Sequence, residues 1–270
     1  VWLEVISFGI LILGGFLAGN LSSLFGLGGG LVVVPLLYFF FHLQGINPSL
    51  EMRMAVGTSL VVMLVTTANV IVGRFRRKHI VFSLWKSMFF GVAFSALIGA
   101  VVGSYLSTVI LKWVFVVFLC FVILQSFLKK GFSGNYTYEN FELPPLFLRI
   151  VVSLVTGFLS VLVGVGGSVF TLPLFRHAKL PMEYASGTAV ALTPAVAGVG
   201  ALMYVAMGFY QTGLPSFSVG YLSLPAFVAV SLGSLAGVPV GLKLSHQLAD
   251  NVKAKLYRYC LVIILISMLV

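Results

Sequence analysis

What this 270-residue sequence has least of is acid. Six residues are Asp or Glu, charged residues of either sign make up 8% of the chain, and 60% is hydrophobic. A soluble domain carries about 25% charged residues, so this composition cannot furnish a water-facing surface. Apolar runs fill most of the length. At about 20 residues per bilayer-spanning helix there is room for about eight to ten hydrophobic segments. The fold class expected is an all-α polytopic membrane protein.

Each further scarcity excludes a chemistry. The six carboxylates, Glu4, Glu51, Glu139, Glu142, Glu183 and Asp250, all fall at segment ends or in loops. The membrane interior therefore has no acidic proton relay or metal cage. Cys120 and Cys260 each lie inside an apolar run, without a CxxC partner or a nearby histidine, and read as small buried apolar residues. His42, His79, His177 and His246 sit near segment ends, which suits interfacial roles. No Ser/His/Asp or Cys/His set stands at the spacing of a nucleophile motif, so no enzyme, metal or cofactor is expected. The net charge of +10 resides in short clusters between apolar segments, such as Arg74, Arg76, Arg77 and Lys78, or Lys129 and Lys130. That is the positive-inside distribution, and it does not call for nucleic acid.

What the sequence does have is glycine, and the glycines repeat. Gly19, Gly26, Gly28, Gly29 and Pro35 match Gly157, Gly164, Gly166, Gly167 and Pro173 at an offset of 138. The same offset carries Gly99 and Gly103 onto Gly237 and Gly241. Between these, Ala55-Val56-Gly57-Thr58-Ser59 resembles Ala185-Ser186-Gly187-Thr188-Ala189 at an offset of 130, which implies a shorter loop in the second copy. The chain thus divides into a first transmembrane repeat, 1–128, a cytoplasmic linker, 129–146, and a second repeat, 147–270. Loop charges bear on orientation. Loop 74–78 holds four cations and its counterpart 209–216 none, whereas loop 44–53 has one and its counterpart 176–183 has Arg176, His177 and Lys179. Turn 104–111 is uncharged, and its counterpart 243–255 holds Lys243, Lys253 and Lys255. The cation-rich partner alternates between halves, so the repeats are expected to be inverted, with 209–216 outside. On that topology the Asn135-Tyr136-Thr137 sequon faces the cytoplasm and is a chance match.

Glycine is a poor helix former and proline lacks a backbone donor. Gly26, Gly28, Gly29 and Gly30 before Pro35, and Gly164, Gly166 and Gly167 before Ser168 and Pro173, predict helices that stop and restart at membrane depth, as broken spans or re-entrant hairpins. Such backbone is tolerated only where protein buries it or it lines a wet cavity. A restarted helix offers free N–H groups and the positive end of its dipole, which suits an anion. Close helix packing is the other use of such glycines. Thr58, Ser59, Ser168 and Thr188 are the hydroxyls expected to add donors, while Asn20 and Asn69 are read as helix–helix partners. No Lys follows in a GK[ST] arrangement, so a nucleotide loop is not indicated.

The pattern GFLAGNLSSLFGLGGGLVVVPLL, AVGTS, TGFLSVLVGVGGSVFTLPLF and ASGTA resembles the sulfite exporter TauE/SafE family of membrane permeases, over nearly the whole chain. The resemblance implies transport of a small sulfur-containing anion such as sulfite, sulfoacetate or a related organosulfonate. It implies translocation residues at Gly26, Gly28, Gly29, Gly30, Pro35, Gly57, Thr58 and Ser59, and at Gly164, Gly166, Gly167, Pro173, Gly187 and Thr188. The second copy departs from the repeat at Ser168, where a glycine would stand, and at Ala189, opposite Ser59. Alternating access of a secondary transporter is the expected mechanism, with the coupling ion open. An anion channel and a non-transporting assembly or sensor protein are the alternatives.

Overall fold

The computed structural model describes residues 2–25, 29–128, 138, 141–247 and 250–269. Eleven helices lie among them: α1 (Trp2–Phe25), α2 (Gly30–Leu43), α3 (Pro48–Arg76), α4 (Phe82–Tyr105), α5 (Thr108–Leu128), α6 (Leu146–Val163), α7 (Ser168–His177), α8 (Met182–Ala191), α9 (Thr193–Gly208), α10 (Leu224–Gln247) and α11 (Asp250–Leu269). A two-residue antiparallel ribbon, β1 (Ser218–Val219) with β2 (Leu222–Ser223), precedes α10. Six described segments are long and apolar enough to span a bilayer, so the protein is an all-α polytopic membrane protein.

The helix starts and stops follow the local chemistry. Asn47 caps α3, its side chain accepting the Ser49 N–H at 3.0 Å, and Pro48 opens the helix where its missing donor is harmless. Gly164 closes α6 in the left-handed conformation (φ +68°), and the Val165 N–H reaches the Ser160 carbonyl at 2.9 Å. That i to i−5 bond is the Schellman stop, which favours a glycine at its turn. Pro35 and Pro173 end nothing and lie inside α2 and α7. At 14 and 10 residues those helices reach only about 21 and 15 Å, short of a hydrocarbon core of about 30 Å. The loops 44–47 and 178–181 are equally long, so the second copy is shortened in its helices and not in the loop. The apolar stretch Met182–Gly208, long enough for one span, is interrupted at Leu192, because Pro194 enters without a donor.

Helices of the two repeats interleave. Each first helix packs on a late helix of the other half, α1 on α10 and α6 on α4. Backbones there are almost in contact: a Cβ on Gly19 would strike the Ser234 carbonyl, one on Gly237 that of Phe16, one on Gly157 that of Val92, and one on Gly99 that of Phe158. Small residues are how membrane helices approach so closely. Helix α3 runs through the middle, touching α2, α5, α8, α9 and α10. Outward-facing positions are large and apolar at helical spacing, for example Phe90 and Phe94 on α4 and Trp113, Val117 and Phe121 on α5, which makes a lipid-facing exterior. Cys120 belongs to that exposed surface and is not buried.

Candidate translocation site

The two interrupted segments meet. A Cβ on Gly30, the first residue of α2, would collide with the Gly164 carbonyl and lie 2.9 Å from Val165 Cα. Gly164 in turn faces Val34 of α2 and Val56 and Ser59 of α3. The Ser59 hydroxyl donates to the Gly164 carbonyl at 2.8 Å, and both groups are buried. The left-handed Gly29 (φ +78°) precedes α2 against Ser22 and Ala18 of α1. Gly26 and Gly28 lie outside the described residues.

Around the second interruption the side chains change character. Gly167 precedes α7, and no side chain caps that helix; the Val169 and Phe170 N–H groups of its first turn reach the Gly166 and Gly167 carbonyls at 3.5 and 3.2 Å. A Cβ on Gly167 would approach Thr156 Cγ2 at 2.7 Å, Val196 Cγ2 at 3.4 Å and Ser160 Oγ at 3.9 Å. Thr156 and Ser160 stand one turn apart on α6, so they share a face. Thr156, Ser160 and Ser168 are each fully buried, and none of their hydroxyls has a hydrogen-bond partner. Thr193, one turn before Val196 at the start of α9, is a fourth buried hydroxyl in the same condition. An orphaned buried hydroxyl costs about 1–3 kcal/mol, and native interiors keep few of them. Several around one uncapped helix start make a cradle of neutral donors, suited to a dehydrated anion.

Of the four hydroxyls expected to serve as donors to an anion, Ser59 donates to the backbone, while Thr58 and Thr188 accept backbone N–H groups and keep their own protons. Ser59 is committed to Gly164, as above. Thr58 Oγ1 accepts the Ser223 N–H at 3.1 Å, and Thr188 Oγ1 accepts the Val81 N–H at 2.9 Å. Beside them, Gly57 packs on the Tyr221 carbonyl and a Cβ on Gly187 would meet that of His79. Each Gly-Thr pair is therefore a seat for the chain as it enters a helix, Thr58 for α10 and Thr188 for α4. Ser168 alone of the four stays unbonded. Sequence reading missed Thr156 and Ser160. Their signal was present as two hydroxyls one turn apart just before a glycine break, in the stretch TGFLS.

Polar residues elsewhere serve the framework. Asn69 is exposed, and its amide donates to Val65 of its own helix at 3.2 Å, so it is not a bridge between helices. His42 lies 3.0 Å from buried Glu51, and His79 lies 3.2 Å from Glu183. Among the described residues no cluster of His, Cys, Asp and Glu has the makings of a metal site.

Six described segments long and apolar enough to cross a bilayer, with large apolar side chains on the exterior, define the class of polytopic membrane proteins. The chain belongs to the sulfite exporter TauE/SafE family, whose model matches residues 11–270. It is 31% identical over 246 residues to a probable membrane transporter protein of Methanocaldococcus jannaschii, covering 90% of this chain and 88% of that one. A probable membrane transporter protein of Haemophilus influenzae is 24% identical, with 94% and 95% covered. The probable membrane transporter YunE of Bacillus subtilis is also 24% identical, with 96% of each chain covered. No solved structure matches the chain. It is a membrane transporter and not an enzyme.

Proposed function

We propose that the protein is a secondary transporter that carries a small sulfur-containing anion, such as sulfite, sulfoacetate or a related organosulfonate, across the cell inner membrane by alternating access. The observation that carries this reading is the trio Thr156, Ser160 and Ser168, buried without partners beside the uncapped start of α7. A sulfur oxyanion brings several acceptor oxygens and no obligatory donor. Hydroxyl protons satisfy such oxygens without a buried counter-charge. A divalent cation would want carboxylate or carbonyl oxygens instead. The family's printed description as a sulfite exporter supports the same cargo.

Inverted orientation of the halves 1–128 and 147–270, joined by a cytoplasmic linker 129–146, belongs to this proposal. It is supported by the alternating loop charges and by the matched pairings of α1 with α10 and α6 with α4. Because those pairs are tightly interlocked, the moving bodies are the pairs themselves, shifting about α3 and α9. Glycines 30, 164 and 167 give the hinge its close approaches. Gly213→Cys, made in a variant without the native cysteines, should react with an impermeant thiol reagent added from outside; reaction only from the cytoplasmic side rejects the topology.

Purified protein in liposomes, assayed with labelled sulfite and sulfoacetate, tests the function. Saturable flux of either supports the transporter. Linear, non-saturating flux would mark a channel, and no flux together with specific capture of a partner protein would mark an assembly or sensor role.

A further inference from the structure

Two groups of polar side chains occupy corresponding places at the helix ends. At one, Arg53 near the start of α3, Tyr204 near the end of α9 and Tyr221 before α10 come together; at the other, Glu183 in the first turn of α8, Arg74 in the last turn of α3 and His79 before α4. The offset of 130 that relates Gly57 to Gly187 also relates Arg53 to Glu183 and Arg74 to Tyr204. Their backbone links agree, with the Tyr221 N–H on the Tyr204 carbonyl at 3.4 Å and the His79 N–H on the Arg74 carbonyl at 3.0 Å.

Their charges do not agree. At the Glu183 end the carboxylate sits 3.2 Å from His79, and its field also reaches Arg74. Arg77 adds a second cation beside Arg74, and Arg74 Nε and His79 Nδ1 are buried there without hydrogen-bond partners, so what sets this end apart is its carboxylate. At the other end Arg53 has only neutral partners: its Nε and Nη2 donate to the Leu106 carbonyl at 3.1 and 2.9 Å, its Nη1 to the Tyr221 hydroxyl at 3.4 Å, and its guanidinium carbon stands 5.9 Å from the Tyr221 ring centre. The nearby carboxylate, Glu51, is taken by His42. A guanidinium has five N–H donors in a fixed fork, so both terminal nitrogens keep one to offer.

Deeper in, the Tyr204 hydroxyl is fully buried and has no hydrogen-bond partner. It presses against Gly103, where a Cβ would strike the phenol oxygen and lie 3.1 Å from Leu162. Leu162 is the residue before the last of α6, so the phenol stands between Arg53's end of the bundle and the second interruption. Buried tyrosine hydroxyls ordinarily find a partner, and nothing in the framework uses this one.

We propose that Arg53, Tyr221 and Tyr204 form a second anion station, distinct from the hydroxyl cradle, that holds a small oxyanion between this end of the bundle and the cradle. Arg53 supplies the charge, and Tyr204 supplies the innermost donor. The proposal rests on the transporter reading for its path, but its residues and its test are separate. The Glu183 end carries its own carboxylate beside His79, which disfavours an anion there.

Binding of sulfite, and of sulfate as an oxidation-stable oxyanion, to the purified full-length protein tests this by calorimetry. The variants are Tyr204→Phe, Arg53→Gln and Ser168→Ala, each with its melting temperature measured. Tyr204→Phe removes one unpartnered atom, so it should keep or raise the melting temperature while weakening the anion about tenfold. Arg53→Gln should weaken it further; should that variant misfold, Tyr204→Phe decides alone. Wild-type affinity in Tyr204→Phe, alongside weakened binding in Ser168→Ala, removes the second station and leaves the cradle. Weakened binding in Tyr204→Phe with Ser168→Ala unaffected keeps the station and removes the cradle. No binding of either anion by the wild type overturns both.

Discussion

The stretches that lead into α2 and α7 differ in backbone as well as in side chains: Gly29 is left-handed (φ +78°) where its counterpart Gly167 is right-handed (φ −61°). At the second, Thr156, Ser160 and Ser168 surround the start of α7. At the first, the corresponding residues are Ala18, Ser22 and Gly30. Gly30 spends its missing side chain on contact, admitting the Gly164 carbonyl where a Cβ would block it. The first copy thus makes a close backbone contact at Gly30, and the second holds unbonded buried hydroxyls at Thr156, Ser160 and Ser168. The departure at Ser168 is where they part.

Placing bulk at the point of contact should break this arrangement most severely. Gly30→Leu drives a side chain into the Gly164 carbonyl and should leave little monodisperse protein by size-exclusion chromatography in detergent. Normal yield and elution would mean that the two interruptions do not touch. Gly164→Val adds a left-handed penalty of about 1–2 kcal/mol to a similar clash, and should lower the melting temperature with it.

Next come the two seats, which the comparison predicts to be equal. Thr58→Val and Thr188→Val each orphan one buried N–H, of Ser223 and of Val81, at about 1–3 kcal/mol. Thermal unfolding should show losses of similar size. A large loss of anion affinity with unchanged stability in Thr58→Val would return that hydroxyl to the binding site.

The smallest expected effect is at the first interruption. Ser22→Ala removes its one hydroxyl of the matching trio and should change transport only a few-fold, against near-complete loss for Ser160→Ala. Equal effects would mean that the two copies share the binding work evenly.

Much of this was legible in the sequence. Scarce charge gave the membrane class, and the offset glycines marked where α6 stops and α7 starts. Three things were not. Thr58 and Thr188 also receive the backbone N–H groups of Ser223 and Val81, a use that a hydroxyl beside a glycine does not announce and that only the incoming chains before α10 and α4 reveal. Pro194 was overlooked inside a run apolar enough to count as one span. Thr156 and Ser160 were passed over because serine and threonine inside a membrane helix ordinarily bond back to their own carbonyls, as Thr66 does to Val62 at 2.9 Å. Their failure to do so is visible only in three dimensions.

The central claim is that the second interruption binds the transported anion through otherwise idle hydroxyls. Its most direct test is labelled sulfite flux into liposomes by Thr156→Val/Ser160→Ala, measured beside its melting temperature. The account predicts flux lost while stability holds or rises, since two unpartnered buried hydroxyls are gone. Wild-type flux in the folded double variant would contradict it.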